Sequence, residues 1–361
     1  MLLGLIVLLV IAAGILAITL IWILRPDSDA GNLALPADCP MVFEKTIIGF
    51  GSGADELLLQ PLATQFDVNG NVLVADTGNG RILVFGPEKE LINVIGADEG
   101  PGKLWGPYSM AFSADQQRLY VADWALRAIL IYSADGRYIE TFPAVDQDFD
   151  VFGPDGFSPY EVRVWKDQIV AASNDGLYFF DRSGHVVDRW GGDARGSGAG
   201  EFAFPDAFTI DEETGTFYVA DTLNRRIVAL DETGEVLWIS GERDVDGEIV
   251  SFWQLPRGIA IGSDGNLYVV DTFRAQDKCS GAGHIVVLNP DGELISEFGA
   301  AGIAETSLNF PEKLAVAPDG SFALADRENN RVVLFTVATP LPSANDLEQA
   351  AYARTYQPPE G

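Results

Sequence analysis

The chain is poor in the side chains that most enzymes use for chemistry. Two histidines, His185 and His284, and two cysteines, Cys39 and Cys279, occur in 361 residues. Two histidines cannot build a three-histidine zinc centre. No G-x-S-x-G segment is present, so nothing marks a nucleophilic serine on a strand-to-helix elbow. Positive charge is also scarce. Lys and Arg number 23, only six of them Lys, against 53 Asp and Glu, which leaves a formal net charge of −30. Such a surface keeps a domain soluble and repels phosphate backbones, so nucleic acid is disfavoured as a partner. An acidic, Lys-poor composition also fits a saline habitat.

What the chain has in abundance is self-similarity. A short apolar motif ending in Asp recurs at 72–85, 118–132, 216–230, 266–272 and 321–335. The marker acids Asp76, Asp123, Asp221, Asp271 and Asp326 are 47, 98, 50 and 55 residues apart. The double spacing predicts a copy near 172, and QIVAASNDGLYFF (168–180) sits there with Ser173 in the Asp position. A period near fifty residues indicates a propeller or a solenoid. Each copy parses into four short strands rich in Val, Ile, Tyr and Phe, divided by Asp-Gly and Asn-Gly turns, the pattern of antiparallel hairpins. Six motif strands are followed by only five last strands, and the segment 46–53 (TIIGFGSG) has the pattern of the sixth. An N-terminal strand that completes the final blade closes a ring and protects its edges. A solenoid needs no borrowed strand, so the propeller is preferred.

These residues resemble the NHL-repeat family of six-bladed propellers. The resemblance rests on PRGIAI (256–261), GNLYVVD (265–271) and Asp-Thr-x-Asn-x-Arg-Ile at 76–82 and 221–227, and it covers 44–337. It implies an all-β fold of six four-stranded blades. It also implies a structural role for the repeated Asp, which accepts hydrogen bonds from the following turn and meets the Arg four or five residues later (Arg81, Arg127, Arg226, Arg331). The third blade departs most, lacking both Asp and Arg. Blade five carries the insertion RAQDKCSGAGH, with His284 where its sisters place Arg. Zinc lyases with an NHL-like propeller use three His ligands, which this chain does not have. Enzymes resembling gluconolactonase hold Ca²⁺ in the channel through Glu, Asn and Asp, and those ligands find no residue-by-residue match here.

The ends of the chain predict a membrane tether. Residues 2–24 contain no charge, long enough to cross a bilayer as a helix. With no basic start and an apolar run longer than a signal peptide's, an uncleaved anchor is preferred to a cleaved signal. Trp22 suits the membrane interface. Arg25 on the propeller side favours a cytoplasmic propeller by charge counting, whereas the family resemblance favours an extracytoplasmic one, which is the reading taken. The organisation is therefore an anchor at 1–25, a linker at 26–43, the propeller at 44–338 and a tail at 339–361 with one short helix around 346–354. Asp38 before Cys39, far from the apolar run, argues against a lipoprotein site. Cys39 and Cys279 are within reach of each other along the linker, but blade topology favours unpaired thiols.

Three groups of residues are candidates for function. The repeated Asp, five times over, reads as scaffold because a ligand needs asymmetry. The acidic loop 146–157 holds Asp146, Asp148, Asp150 and Asp155, oxygens that suit Ca²⁺. However, Val151 and Phe157 stand where an EF-hand needs Gly and Glu, so a solvated loop is the plainer reading and no cofactor is required. The face of inter-blade loops and post-Asp turns carries aromatics and arginines, the usual anchors of binding surfaces. There Trp124 replaces the Thr that usually follows the Asp, Phe273 and Arg274 begin the insertion, and Arg127 and Trp253 belong to the same face. The sequence thus reads as a membrane-tethered binding or scaffolding propeller for a protein, glycan or small ligand. The rival is a divalent-cation-dependent lactonase or lyase working in the central channel.

Overall fold

The computed structural model describes residues 40–245, 248–273, 284–299, 307–338, 341 and 352–356. The expected anchor, most of the linker, Cys39, Cys279, Arg274 and most of the tail lie outside the described residues. Among those described, no helix is long and apolar enough to cross a membrane.

Six antiparallel sheets follow one another along the chain. Blade one is β2 (Ala63–Phe66), β3 (Val72–Asp76), β4 (Arg81–Phe85) and β5 (Leu91–Ile95). Blade two is β6 (Pro107–Phe112), β7 (Arg118–Asp123), β8 (Ala128–Ser133) and β9 (Tyr138–Phe142). Blade three is β10 (Glu161–Trp165), β11 (Gln168–Ser173), β12 (Gly176–Phe180) and β13 (Val186–Gly191). Blade four is β14 (Pro205–Asp211), β15 (Thr216–Asp221), β16 (Arg226–Leu230) and β17 (Val236–Val245), extended by β18 (Glu248–Ser251). Blade five is β19 (Pro256–Ile261), β20 (Leu267–Asp271), β21 (His284–Leu288) and β22 (Leu294–Phe298). Blade six is β23 (Pro311–Val316), β24 (Phe322–Asp326) and β25 (Arg331–Val337), completed by β1 (Met41–Ile47). The first strands touch one another in sequence around the axis, with β2 meeting β23. The molecule is a six-bladed propeller.

The ring is closed by the N-terminal strand, a few residues earlier than 46–53. β1 pairs with β25 from Met41 opposite Val337 to Ile47 opposite Val332. Met41 and Ile47 are its buried residues. The tail contributes a strand where a short helix was expected: β26 (Tyr352–Tyr356) pairs antiparallel with β17.

The core is a series of wedges between neighbouring blades. Phe142, Phe152, Phe157, Tyr178 and Phe180 form one such wedge between blades two and three. Each fully buried aromatic of this kind contributes about 1.5–3 kcal/mol. The acidic loop is therefore pinned by its own apolar residues, Phe152 and Phe157. Antiparallel order places the inter-blade loops and the turns after the repeated Asp at one end of the propeller, here the loop end. The remaining hairpin turns lie at the other, the hairpin end.

Candidate functional site

At the loop end the repeated residues act as staples. Asp76, Asp123, Asp221, Asp271 and Asp326 are all fully buried. Each accepts from the backbone of the loop that enters its own blade: Leu59 N at 2.7 Å, Trp105 N at 2.7 Å, Ala203 N at 2.8 Å, Leu255 N at 2.6 Å and Asn309 N at 2.6 Å. In blades one, four and six the same carboxylate takes Nε of Arg81, Arg226 or Arg331 at 2.7, 2.8 and 2.6 Å. Blade three keeps the staple in reduced form, with Ser173 Oγ accepting from Ser158 N at 2.9 Å. The Thr after the Asp is a latch to the next blade. Thr77, Thr222 and Thr272 donate to the carbonyls of Pro107, Pro256 and Pro311 at 2.7, 2.6 and 2.8 Å. Trp124, Asn174 and Arg327 stand where that latch is given up.

Arg127 does not meet Asp123. Asp123 pairs in register with Ala128, so Ala128 takes the position of Arg81. Arg127 occupies the left-handed position that closes the turn, with φ 56°, as Gly80, Arg225 and Asn330 do in their blades. Its guanidinium reaches the next loop instead, donating to the carbonyls of Phe157 at 2.9 Å and Asp155 at 3.1 Å.

The channel is defined by residues that do not repeat. Each first strand is preceded or opened by a Pro, and the residue after it is Leu62, Tyr108, Tyr160, Asp206, Arg257 or Glu312. In blades two, four, five and six the ladder skips this residue as a bulge. Bulges re-aim side chains, and here they turn one residue per blade towards the axis. Contacts then run across the ring. Arg257 of blade five donates to Tyr108 Oη of blade two at 2.5 Å, and Tyr108 donates to Asp206 of blade four at 2.8 Å. Arg257 Nε lies 2.5 Å from Glu312 and 3.2 Å from Asp206. Arg327 is 3.3 Å from Glu312. Lys313 of blade six reaches Glu161 of blade three at 2.8 Å, the Asp206 carbonyl at 2.7 Å and the Tyr160 carbonyl. Sequence reasoning missed this set because it looked for repetition. The frame of blade-opening prolines was the available signal.

Burial pushes the Glu312 carboxyl up to about 7, against the pull of Arg257 and Arg327 and with the help of Asp206. Burial likewise raises the Tyr108 hydroxyl well above its usual value. A raised carboxyl binds its proton more tightly in the folded chain. Its contribution to stability is therefore complete below its ordinary 4.5 and is lost as pH rises through about 7. Glu312→Gln is expected to flatten that fall, by up to about 1.4 kcal/mol per pH unit. Urea midpoints of both proteins from pH 4.5 to 8 measure it, and identical slopes would refute the assignment.

The residues singled out from sequence separate into three groups. Trp124 and Phe273 are 47% and 50% exposed at the loop end, and Phe273 packs edge-on against Phe310 at 4.9 Å. Trp253, by contrast, is a core residue, fully buried with its indole donating to the Ser240 carbonyl at 2.9 Å. The four carboxylates of the acidic loop go separate ways. Asp146 meets His185 at 3.0 Å, Asp148 caps the turn at Asp150 N, and Asp155 pairs with Arg195 at 2.7 Å. Asp150 belongs to a short 3-10 turn, Phe149–Phe152. Among the described residues no three His, Cys, Asp or Glu side chains are grouped to hold a metal ion. The channel carboxylates do not fit one either, since Lys313, Arg257 and Arg327 already neutralise them. Further exposed apolar side chains at the loop end are Trp105 at 63%, Phe149 at 57% and Leu223 at 56%.

Comparison with known proteins agrees with this architecture. A family model described as a 6-bladed beta-propeller matches residues 157–304, and the NHL repeat model matches 308–335. A probable peptidyl-alpha-hydroxyglycine alpha-amidating lyase from Caenorhabditis elegans is 27% identical over 168 residues, 45% of this chain. That match spans 44% of the relative's length. Among solved structures, a streptogramin B lyase superposes with a TM-score of 0.55 at 14% identity, covering 80% of this chain and 96% of that one. A protein of unknown function from Bacteroides thetaiotaomicron gives 0.58 at 16%, covering 81% and 73%. At these identities the likeness is one of fold.

Proposed function

We propose that this six-bladed propeller, which carries an NHL repeat, is a membrane-tethered, non-catalytic binding module that holds a protein partner at its loop end. One observation carries the reading. Each of the channel carboxylates Glu161, Asp206 and Glu312 is matched by a cation from another blade, while Trp105, Trp124, Phe149 and Phe273 stand half-exposed at the loop end. Buried, compensated charges stiffen a ring and occupy these carboxylates with the protein's own cations. Half-exposed aromatics with neighbouring arginines, here Arg127 and Arg225, are what protein interfaces use as anchors. The N-terminal apolar run would tether the propeller, with its loop end outside the cytoplasm. The rival, a lyase or lactonase in the channel, draws on the likeness to a lyase and on Glu312, whose carboxyl is pushed up to about 7, but that group is ion-paired with Arg257 and Arg327.

A photo-crosslinking residue tests the face directly. Placed at Trp124 in the full-length protein in its native membrane, it is expected to trap a discrete protein adduct. Placed at Val68, exposed at the hairpin end, it is expected to trap none. Adding Trp105→Ala should suppress the Trp124 adduct, because an aromatic anchor is worth about 2 kcal/mol or more. No adduct from Trp124, or equal adducts from both positions, would refute the reading. An adduct that persists in Glu312→Gln would separate binding from the rival chemistry.

A further inference from the structure

The two faces of the propeller are not equally closed, and blade three is the reason. Five blades join their first and second strands through four or five residues (67–71, 113–117, 212–215, 262–266 and 317–321). Blade three uses two, Lys166 and Asp167, with Lys166 at φ 54° and Trp165 paired directly with Gln168. The shortened turn leaves a cleft of about 490 Å³ between blades two and three at the hairpin end. This is the size range of small-molecule sites. Its floor is apolar: Tyr120, Phe142 and Ile169 are buried there, with Val164 half-buried beside them. Its rim carries the cations Arg118, Arg182 and Lys166, the last paired with Glu232 outside the cleft, and the carboxylates Asp115, Glu140 and Asp167.

We propose that this cleft binds a small molecule with one anionic group on a flat apolar body. The body would lie on the floor, and the anion would meet Arg118 and Arg182. Both guanidiniums now sit in exposed ion pairs, Arg118 with Glu140 at 3.3 Å and Arg182 with Asp167 at 2.5 Å. Exposed pairs are worth only about 0–1 kcal/mol, so a ligand anion can displace them at little cost. A guanidinium offers a planar pair of donors suited to carboxylate or phosphate. The third carboxylate of the rim, Asp115, is held chiefly by its own turn through Ser113 Oγ at 2.6 Å and Gln117 N at 3.0 Å, with Arg118 a weaker influence on it. A cationic ligand, by comparison, would be drawn to most of the surface of a chain with net charge −30 and would gain nothing particular here. The site lies at the opposite end from the proposed partner face and does not depend on it.

Three probes differing in head group test this on the full-length chain in detergent by titration calorimetry: 2-naphthoate, 2-naphthyl phosphate and the neutral 2-naphthamide. At least one anion is expected to bind saturably at a single site, tenfold or more tighter than the amide. The tighter anion identifies the head group. The double variant Arg118→Gln/Arg182→Gln should weaken that anion at least tenfold with Tm unchanged. Replacing residues 166–167 with the five residues of the blade-one turn, 67–71, should abolish binding by filling the cleft. Equal binding of the amide, no binding of either anion below millimolar concentration, or full binding in the arginine double variant would each overturn the proposal. The arginine variant decides the matter even if the lengthened turn does not fold.

Discussion

Lys313→Met is expected to destabilise the propeller by about 3 kcal/mol, because a buried carboxylate loses one of its two cations and two carbonyls lose their donor. Lys313 is 4% exposed and Glu161, its ion-pair partner across the axis, is 1% exposed. The ammonium also serves the Asp206 carbonyl at 2.7 Å and lies 4.8 Å from the centre of the Tyr108 ring, so one side chain from blade six touches blades two, three and four. Met fills similar volume but leaves the Glu161 carboxylate with Arg163 as its one remaining cation and orphans two carbonyls, each orphan adding to the loss. The double variant Lys313→Met/Glu161→Gln removes the charge from both sides and should recover the electrostatic part of that loss, leaving only the cost of the two orphaned carbonyls. Urea denaturation of the wild type, both single variants and the double variant gives the coupling energy. A single-variant loss under about 1 kcal/mol, or a double variant as unstable as the single, would mean that the cross-axis pair does not hold the ring.

The part of the structure that was legible in the sequence is the part that repeats. Strand existence, blade count and the borrowed closing strand followed from periodic apolar segments and Asp-Gly turns, because each blade solves the same packing problem. Register was less legible. The segment 46–53 looks like a last strand, yet pairing with β25 begins at Met41, and only cross-strand neighbours fix that offset. Arg127 was misplaced by one residue for the same reason: Asp123 aligns with Ala128, and the side chain before it turns outward. Trp253 read as a surface aromatic because it lies in an inter-blade loop, but that loop plunges into the wedge between blades four and five. Blade three looked degenerate when its Asp was missing, whereas Ser173 makes the same contact to the incoming loop. The channel residues were the least visible. Their identity changes from blade to blade, and their meaning lies in partners on other blades, 152 residues away for Lys313 and Glu161.

The repeated Asp is expected to be as costly to remove as Lys313, for a related reason that can be separated experimentally. Asp221 is fully buried and accepts from Ala203 N, Asn224 Nδ2 and Arg226 Nε, all at 2.8 Å. Arg226 in turn donates to the carbonyls of Ser197 at 2.9 Å, Gly198 at 3.0 Å and Glu201 at 2.6 Å. The pair therefore ties down the loop that crosses from blade three to blade four. Asp221→Ser keeps an acceptor but strands the guanidinium of Arg226, which is 8% exposed, so a loss of about 3–5 kcal/mol is expected. Blade three shows how the protein does without the pair: Ser173 stands opposite Gly176, so acid and base are missing together. Asp221→Ser/Arg226→Met imitates that state and should be far less harmful than either single change. Burial holds the Asp221 carboxyl above its usual value even though Arg226 pulls it down. The pair thus has little electrostatic surplus, and losing both halves costs little more than the loop's lost hydrogen bonds. Hydrogen exchange at Ala203 N gives the local readout. Its protection should fall in Asp221→Ala, which has no acceptor, and persist in the double variant, where the serine oxygen still receives it. If Asp221→Ser alone is as stable as the wild type, the aspartate is a turn former and the arginine a bystander, and the ring is held by its aromatic wedges instead.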